Sequence, residues 1–181
     1  MNARVKLAVA VAVTGAMAVA GTAAIAGGGA RDFGTMLTGY EEVPTVSTTG
    51  VGAFRADVSR SDNGFSYRLR YTGLEGNVTQ AHIHFGGKAD TGGVSVFLCS
   101  NLPGPPAGTP ACPPPPATVT GSIDAADVIG PAGQGIAAGE LNELLRAMRA
   151  GATYANVHSS LWPGGEIRGQ VRTLDDDDDD D

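Results

Sequence analysis

Apolar and polar positions alternate in short runs along most of the chain, and glycine, proline, aspartate and asparagine punctuate the runs. A period of two sends successive side chains to opposite faces of an extended strand. Many such runs at regular spacing point to an antiparallel sandwich or barrel. Strands are expected at 33–39, 52–59, 65–71, 78–85, 94–98, 117–123, 153–158 and 166–172. The fold class that follows is mostly β: a Greek-key-like antiparallel β-sandwich of about eight strands. The clearest hairpin signal is Ser61-Asp62-Asn63-Gly64, a turn suited to positive φ between two alternating runs.

The period changes once. Over 138–150, Leu141, Leu144, Leu145 and Met148 fall at i, i+3, i+4 and i+7, while Glu140, Glu143, Arg146 and Arg149 lie largely off that stripe. This predicts one short amphipathic helix, acids early and bases late as the helix dipole favours, with Gly151 to end it. Packing against one end of the sandwich is its expected role.

Length and composition then fix the scale. The 181 residues, 42% hydrophobic and 17% charged, suit one globular domain. The net charge of −7, from 12 bases and 19 acids, gives no chain-wide attraction to nucleic acid. Seven acids are the aspartate run 175–181, and Arg4 and Lys6 lie in an N-terminal leader, so residues 27–174 carry ten bases and twelve acids, a net of −2. The acidity belongs to an appendage. That run is expected to stay disordered and solvated by self-repulsion, and it lacks the spaced ligands and glycine of a calcium loop.

The leader itself has Arg4 and Lys6, then an uncharged Ala/Val-rich stretch, then Ala24-Ile25-Ala26. This is the pattern of a signal peptide over 1–26 cleaved after Ala26, followed by a short linker at 27–32, a domain at 33–173 and the acidic tail at 174–181. The competing reading is an uncleaved anchor, since about 20 apolar residues span a bilayer. A secreted or extracytoplasmic product, without stable membrane insertion after cleavage, is the expectation. In an oxidising compartment Cys99 and Cys112, which bound a loop containing Pro103, Pro105, Pro106 and Pro110, are expected to form a disulfide worth roughly 3 kcal/mol, with metal ligation as the weaker alternative.

Three histidines carry the candidate chemistry. His82 and His84, two apart in a predicted strand, share a face, and the flanking apolar residues Ala81, Ile83 and Phe85 take the other. His158 shares a strand face with Tyr154 and Asn156, and Glu166 shares one with Arg168 and Gln170. If these strands are neighbours, His82, His84 and His158 can hold one Cu(II) or Zn ion, with Asn156, Glu166 and Arg168 as a supporting polar cluster. The opposing reading is a solvent-facing His pair beside a surface Glu166–Arg168 salt bridge. No nucleophile elbow, phosphate loop or H-E-x-x-H motif is present, so no catalytic residue is assigned. The Gly86-Gly87 and Gly92-Gly93 pairs read as tight-turn geometry.

Leu37-Thr38-Gly39-Tyr40-Glu41-Glu42-Val43-Pro44, Ala81-His82-Ile83-His84-Phe85-Gly86, Tyr154-Ala155-Asn156-Val157-His158-Ser159 and Pro163-Gly164-Gly165-Glu166-Ile167-Arg168-Gly169-Gln170 together resemble the chordin-type (CHRD) domain. The resemblance implies a secreted or surface-exposed β-sandwich without an established enzymatic activity. It maps His82, His84, Asn156, His158, Glu166 and Arg168 onto the family's distinctive polar residues. A thinner likeness is to copper–zinc superoxide dismutase, an exported β-sandwich with an H-x-H strand. That enzyme needs further histidines and an aspartate, and here only His158 remains, so a mononuclear site is the most that likeness allows. Three functions follow as expectations: a secreted binding module holding copper or zinc, a metal-free structural or adhesive module contacting matrix or another extracellular protein, and a copper-dependent redox enzyme.

Overall fold

The computed structural model describes residues 29–174. The expected signal peptide and the aspartate run lie outside the described residues. The chain runs through β1 (Asp32–Thr38), β2 (Val51–Val58), β3 (Phe65–Thr72), β4 (Val78–Phe85), β5 (Gly93–Ser100), β6 (Ala117–Ile123), the helix α1 (Leu141–Arg149), β7 (Thr153–Ser159), β8 (Ile167–Gln170) and β9 (Arg172–Thr173). All strand pairs are antiparallel, in the order β5-β4-β7-β8-β1-β2-β3-β6, with β9 beside β1. The sheet curls until its outer strands β5 and β6 face one another. Tyr67 Oη of β3 donates to Leu98 O of β5 across that approach at 2.6 Å. Among the described residues, no helix is long and apolar enough to cross a membrane.

Alternation builds this directly. In β3, Phe65, Tyr67, Leu69 and Tyr71 are buried and Ser66, Arg68, Arg70 and Thr72 are exposed. Matching inward residues, Phe54, Ala56 and Val58 of β2, Val119 and Ile123 of β6, Ala81 and Ile83 of β4, and Ala155 and Val157 of β7, complete one apolar core. Removing such surface from water is the main favourable term in folding, at about 25 cal/mol per Å².

Two boundaries differ from the sequence pattern. The helix begins at Leu141 rather than 138, because Gly139 takes φ of +85°, outside helical space, and Glu140 turns its side chain back from the helix, with Oε2 accepting from Ala137 N at 2.7 Å. Its apolar stripe joins the core as expected, and Gly151 N donates to Met148 O at its end. The run 166–172 is two strands: β8 pairs with β7 and meets β1 at Thr38, whereas β9 pairs only with β1. Val171 N donates to Thr153 O between them. At the β2–β3 hairpin it is Asp62 that takes positive φ, 53°, and its carboxylate receives both 2.9 Å bonds from Arg149 Nη2 at the helix end.

The disulfide Cys99–Cys112 is present, with Cα atoms 5.1 Å apart. Asn101 organises the loop that it closes. Its Nδ2 donates to Val78 O and Cys112 O, and its Oδ1 accepts from Cys112 N.

Candidate metal centre

Register decides which polar side chains meet. His82 pairs with Asn156, His84 with Tyr154 and Gln80 with His158 across β4 and β7, and Asn156 pairs with Arg168 and Tyr154 with Gln170 across β7 and β8. His158 therefore sits diagonal to His82 on the same face, within side-chain reach. The rings of His82 and His158 are 4.9 Å apart, those of His82 and His84 5.3 Å, and those of His84 and His158 6.2 Å. One nitrogen from each ring lies within 4.8 Å of the other two.

The face is opposite the apolar core, as the sequence parity requires, yet it is not open to solvent. His82 is 4% and His84 8% exposed. Phe97 meets His82 edge-on at 4.5 Å, and Tyr154 stacks on His84 at 4.7 Å with the rings 5° from parallel. On Tyr154 lies the Arg168 guanidinium, 3.5 Å from the ring centroid, a cation–π contact. Arg168 Nη1 donates to Asp90 O at 2.9 Å, and Nη2 to Gly87 O at 2.7 Å and Lys88 O at 3.3 Å. The loop 86–92 is thereby held over the histidines. Glycine is needed there for close approach: a Cβ on Gly92 would collide with the carbonyl of Phe85.

Two backbone carbonyls fix the ring tautomers. A carbonyl only accepts, so His84 Nδ1–H donates to Gly92 O and His158 Nδ1–H donates to Pro163 O, both at 2.8 Å. Each Nε2 is left with its lone pair facing the cluster. His158 Nε2 accepts from His82 Nδ1–H at 3.1 Å, and the Asn156 side-chain amide, 3.1 Å from that same nitrogen, has to turn its NH2 group toward it to donate. His82 Nε2 and His84 Nε2 are buried with no hydrogen-bond partner. Desolvation, and then repulsion from the neighbouring rings, pushes His82 down to about 2. Desolvation brings His84 to about 4 despite the Gly92 hydrogen bond, and lowers His158 as well. All three rings are neutral near pH 7, the form that binds a metal.

The remaining sequence-derived residues divide. Asn156 and Arg168 join the histidine face, Arg168 as the anchor of the covering loop. Glu166 is fully buried but turns elsewhere: its Oε1 accepts from Thr48 Oγ1 and Glu75 N, each at 2.7 Å. No Glu166–Arg168 ion pair forms among the described residues, and neither side chain is on the surface, so the exposed salt bridge is replaced by two separate buried anchorages. Tyr154 and Phe97, the aromatic walls, are additions. Tyr154 shares the parity of Asn156 and His158 in the sequence, whereas Phe97 gives no such signal. Glu42 is a further addition. It is 6% exposed, fits where Gly165 has no side chain, and is pushed up to about 7 by desolvation against the opposing pull of Arg168.

Fold and site together define a disulfide-bonded antiparallel β-sandwich domain with three convergent imidazoles, two buried and one half-buried, on one sheet face. A family model described as the CHRD domain matches residues 33–171, and the chain belongs to that family. No match to the chain is found among curated proteins or solved structures.

Proposed function

We propose that the domain is an exported binding module that holds one copper ion through His82, His84 and His158, with zinc as the competing ion. The observation that carries this is the pair of backbone-fixed tautomers: Gly92 O and Pro163 O aim the Nε2 lone pairs of His84 and His158 into a cluster where His82 Nε2 and His84 Nε2 have no other partner. Orientation of ligating histidines through their other nitrogen is the usual second layer of a metal site. Two ligands of one ion, with bonds of about 2.0–2.1 Å, are at most about 4 Å apart, so these nitrogens, all within 4.8 Å of one another, would have to draw in somewhat around the ion. Nitrogen ligands without thiolate suit Cu(II) and Zn, and Cu(II) binds the more tightly of the two at a given site. Burial of His82 and His84 limits the ligand to ion size. The disulfide and the leader pattern support export.

The test is a copper titration followed by EPR. One equivalent with nitrogen hyperfine structure is expected in wild type, with loss of that signal in His84→Ala and in the less buried His158→Gln. Background binding by wild type would overturn the metal reading. A metal-free structural role is favoured by the His82–His158 contact joining β4 to β7. It requires His84→Ala to lower the melting temperature equally with and without chelator.

A further inference from the structure

The opposite side of the molecule presents an unusual row. Register places Arg172 opposite Gly34, Gly34 opposite Arg55, Arg55 opposite Arg68 and Arg68 opposite Thr120, so that one line across β9, β1, β2, β3 and β6 carries three arginines. Arg70 follows Arg68 on the same face, and all four are exposed. None is ion-paired to an acid among the described residues. Like charges directly opposite in an antiparallel pair destabilise it. The acids on this face, Asp32 and Asp57, pair with each other one row away, toward the β2–β3 turn. Arg55 and Arg68 line a shallow groove of about 690 Å³, with Asp32 and Asp57 at its end toward the β2–β3 turn and Leu174 beside them.

Leu174 N donates to Asp32 O at 2.8 Å, and its side chain packs where Gly34 has none, in the gap between Arg172 and Arg55. The next seven residues are all aspartate. We infer that the aspartate run 175–181 docks on its own domain along the row Arg172–Arg55–Arg68, with Arg70 alongside, as an intramolecular occupant of a site for oligo-carboxylate chains. Reach is sufficient. Seven extended residues span about 23 Å, and the three strand spacings from β1 to β6 cover about 15 Å. Both partners are self-repelling alone, and both repulsions fall when the two combine.

A nitroxide label on Asp181→Cys in the full chain tests this through amide signal intensities. At about 0.01 M salt, where charges act over about 30 Å, the amides of Arg68, Arg70 and Thr120 are expected to lose most of their intensity, and to keep that loss on dilution. About 1 M salt, which screens to about 3 Å, should restore them, as should the double variant Arg55→Ser, Arg68→Ser. That variant changes only exposed positions, and its unshifted core amides report that it is folded. Undiminished Arg68 and Thr120 signals in wild type at low salt would overturn the proposal. So would a loss that vanishes on dilution, which would mean that the run of a second copy is the occupant.

Discussion

The β4–β7–β8 face and the β1–β2–β3–β6 face are written in the same alternation, yet one buries its polar residues and the other exposes them. On the first, His82, His84, Asn156 and Arg168 are each less than a tenth exposed; on the second, Arg55, Arg68 and Arg70 stand in solvent. The difference lies in what covers the face. Three carbonyls of loop 86–92 accept from Arg168, and Tyr154 fills the space between guanidinium and imidazole. Among the described residues, no such loop crosses the second face. Period-two patterning therefore tells which residues leave the core, and a loop crossing the sheet decides whether they become a site.

Exchanging arginines breaks this comparison most sharply. Arg168→Ala removes three hydrogen bonds from a buried guanidinium to the carbonyls of loop 86–92, together with the stack on Tyr154, and should cost about 3 kcal/mol. Thermal denaturation should show a drop on the order of 10 °C. Equal effects of Arg168→Ala and Arg68→Ala would erase the distinction between the two faces.

Glu42 gives the next largest effect, through pH. Its carboxyl is raised from 4.5 to about 7, so the folded state holds a proton that the unfolded state releases first. The stability tied to that proton is fully present below pH 4.5 and is lost as pH rises through about 7, up to about 3 kcal/mol in all. Denaturant titrations from pH 5 to pH 8 should show this decline in wild type and a flatter profile in Glu42→Gln. A parallel decline in the variant would mean that another group carries the pH dependence.

The disulfide ties β5 to the loop that leads into β6, and replacing Cys99 and Cys112 with serine should cost about 3 kcal/mol by the loop-entropy argument for a closed loop of this length. Chemical denaturation in the absence of reductant measures it. An unchanged midpoint would show that the hydrogen bonds of Asn101 suffice. The smallest effect belongs to the open face. Arg68→Ala relieves the repulsion from Arg55 and should change stability by no more than about 0.5 kcal/mol, with a sign that depends on salt.

The sequence reveals the strands well because turn residues bracket alternating runs, and β4 and β6 have the expected limits. It does not reveal the break between β8 and β9, where Ile167, Gly169 and Val171 continue one parity and only the change of partner at Thr153 and Gly34 interrupts it. The shared face of His82 and His84 is local and legible. Their meeting with His158 rests on the adjacency of β4 and β7, and their burial on a clamp between a side chain and main-chain carbonyls, which leaves no residue pattern. Glu42 is hidden for a similar reason: its pocket is the missing side chain of Gly165, 123 residues further on.

The outer edge of β5 has its backbone groups engaged by other parts of the chain: Leu98 O accepts from the Tyr67 hydroxyl, Ser95 O from Ile129 N, and Ser100 N donates to Pro110 O. An incoming extended peptide would have to displace these bonds before it could add to the sheet. The domain is thus guarded against fibril-like stacking at this border.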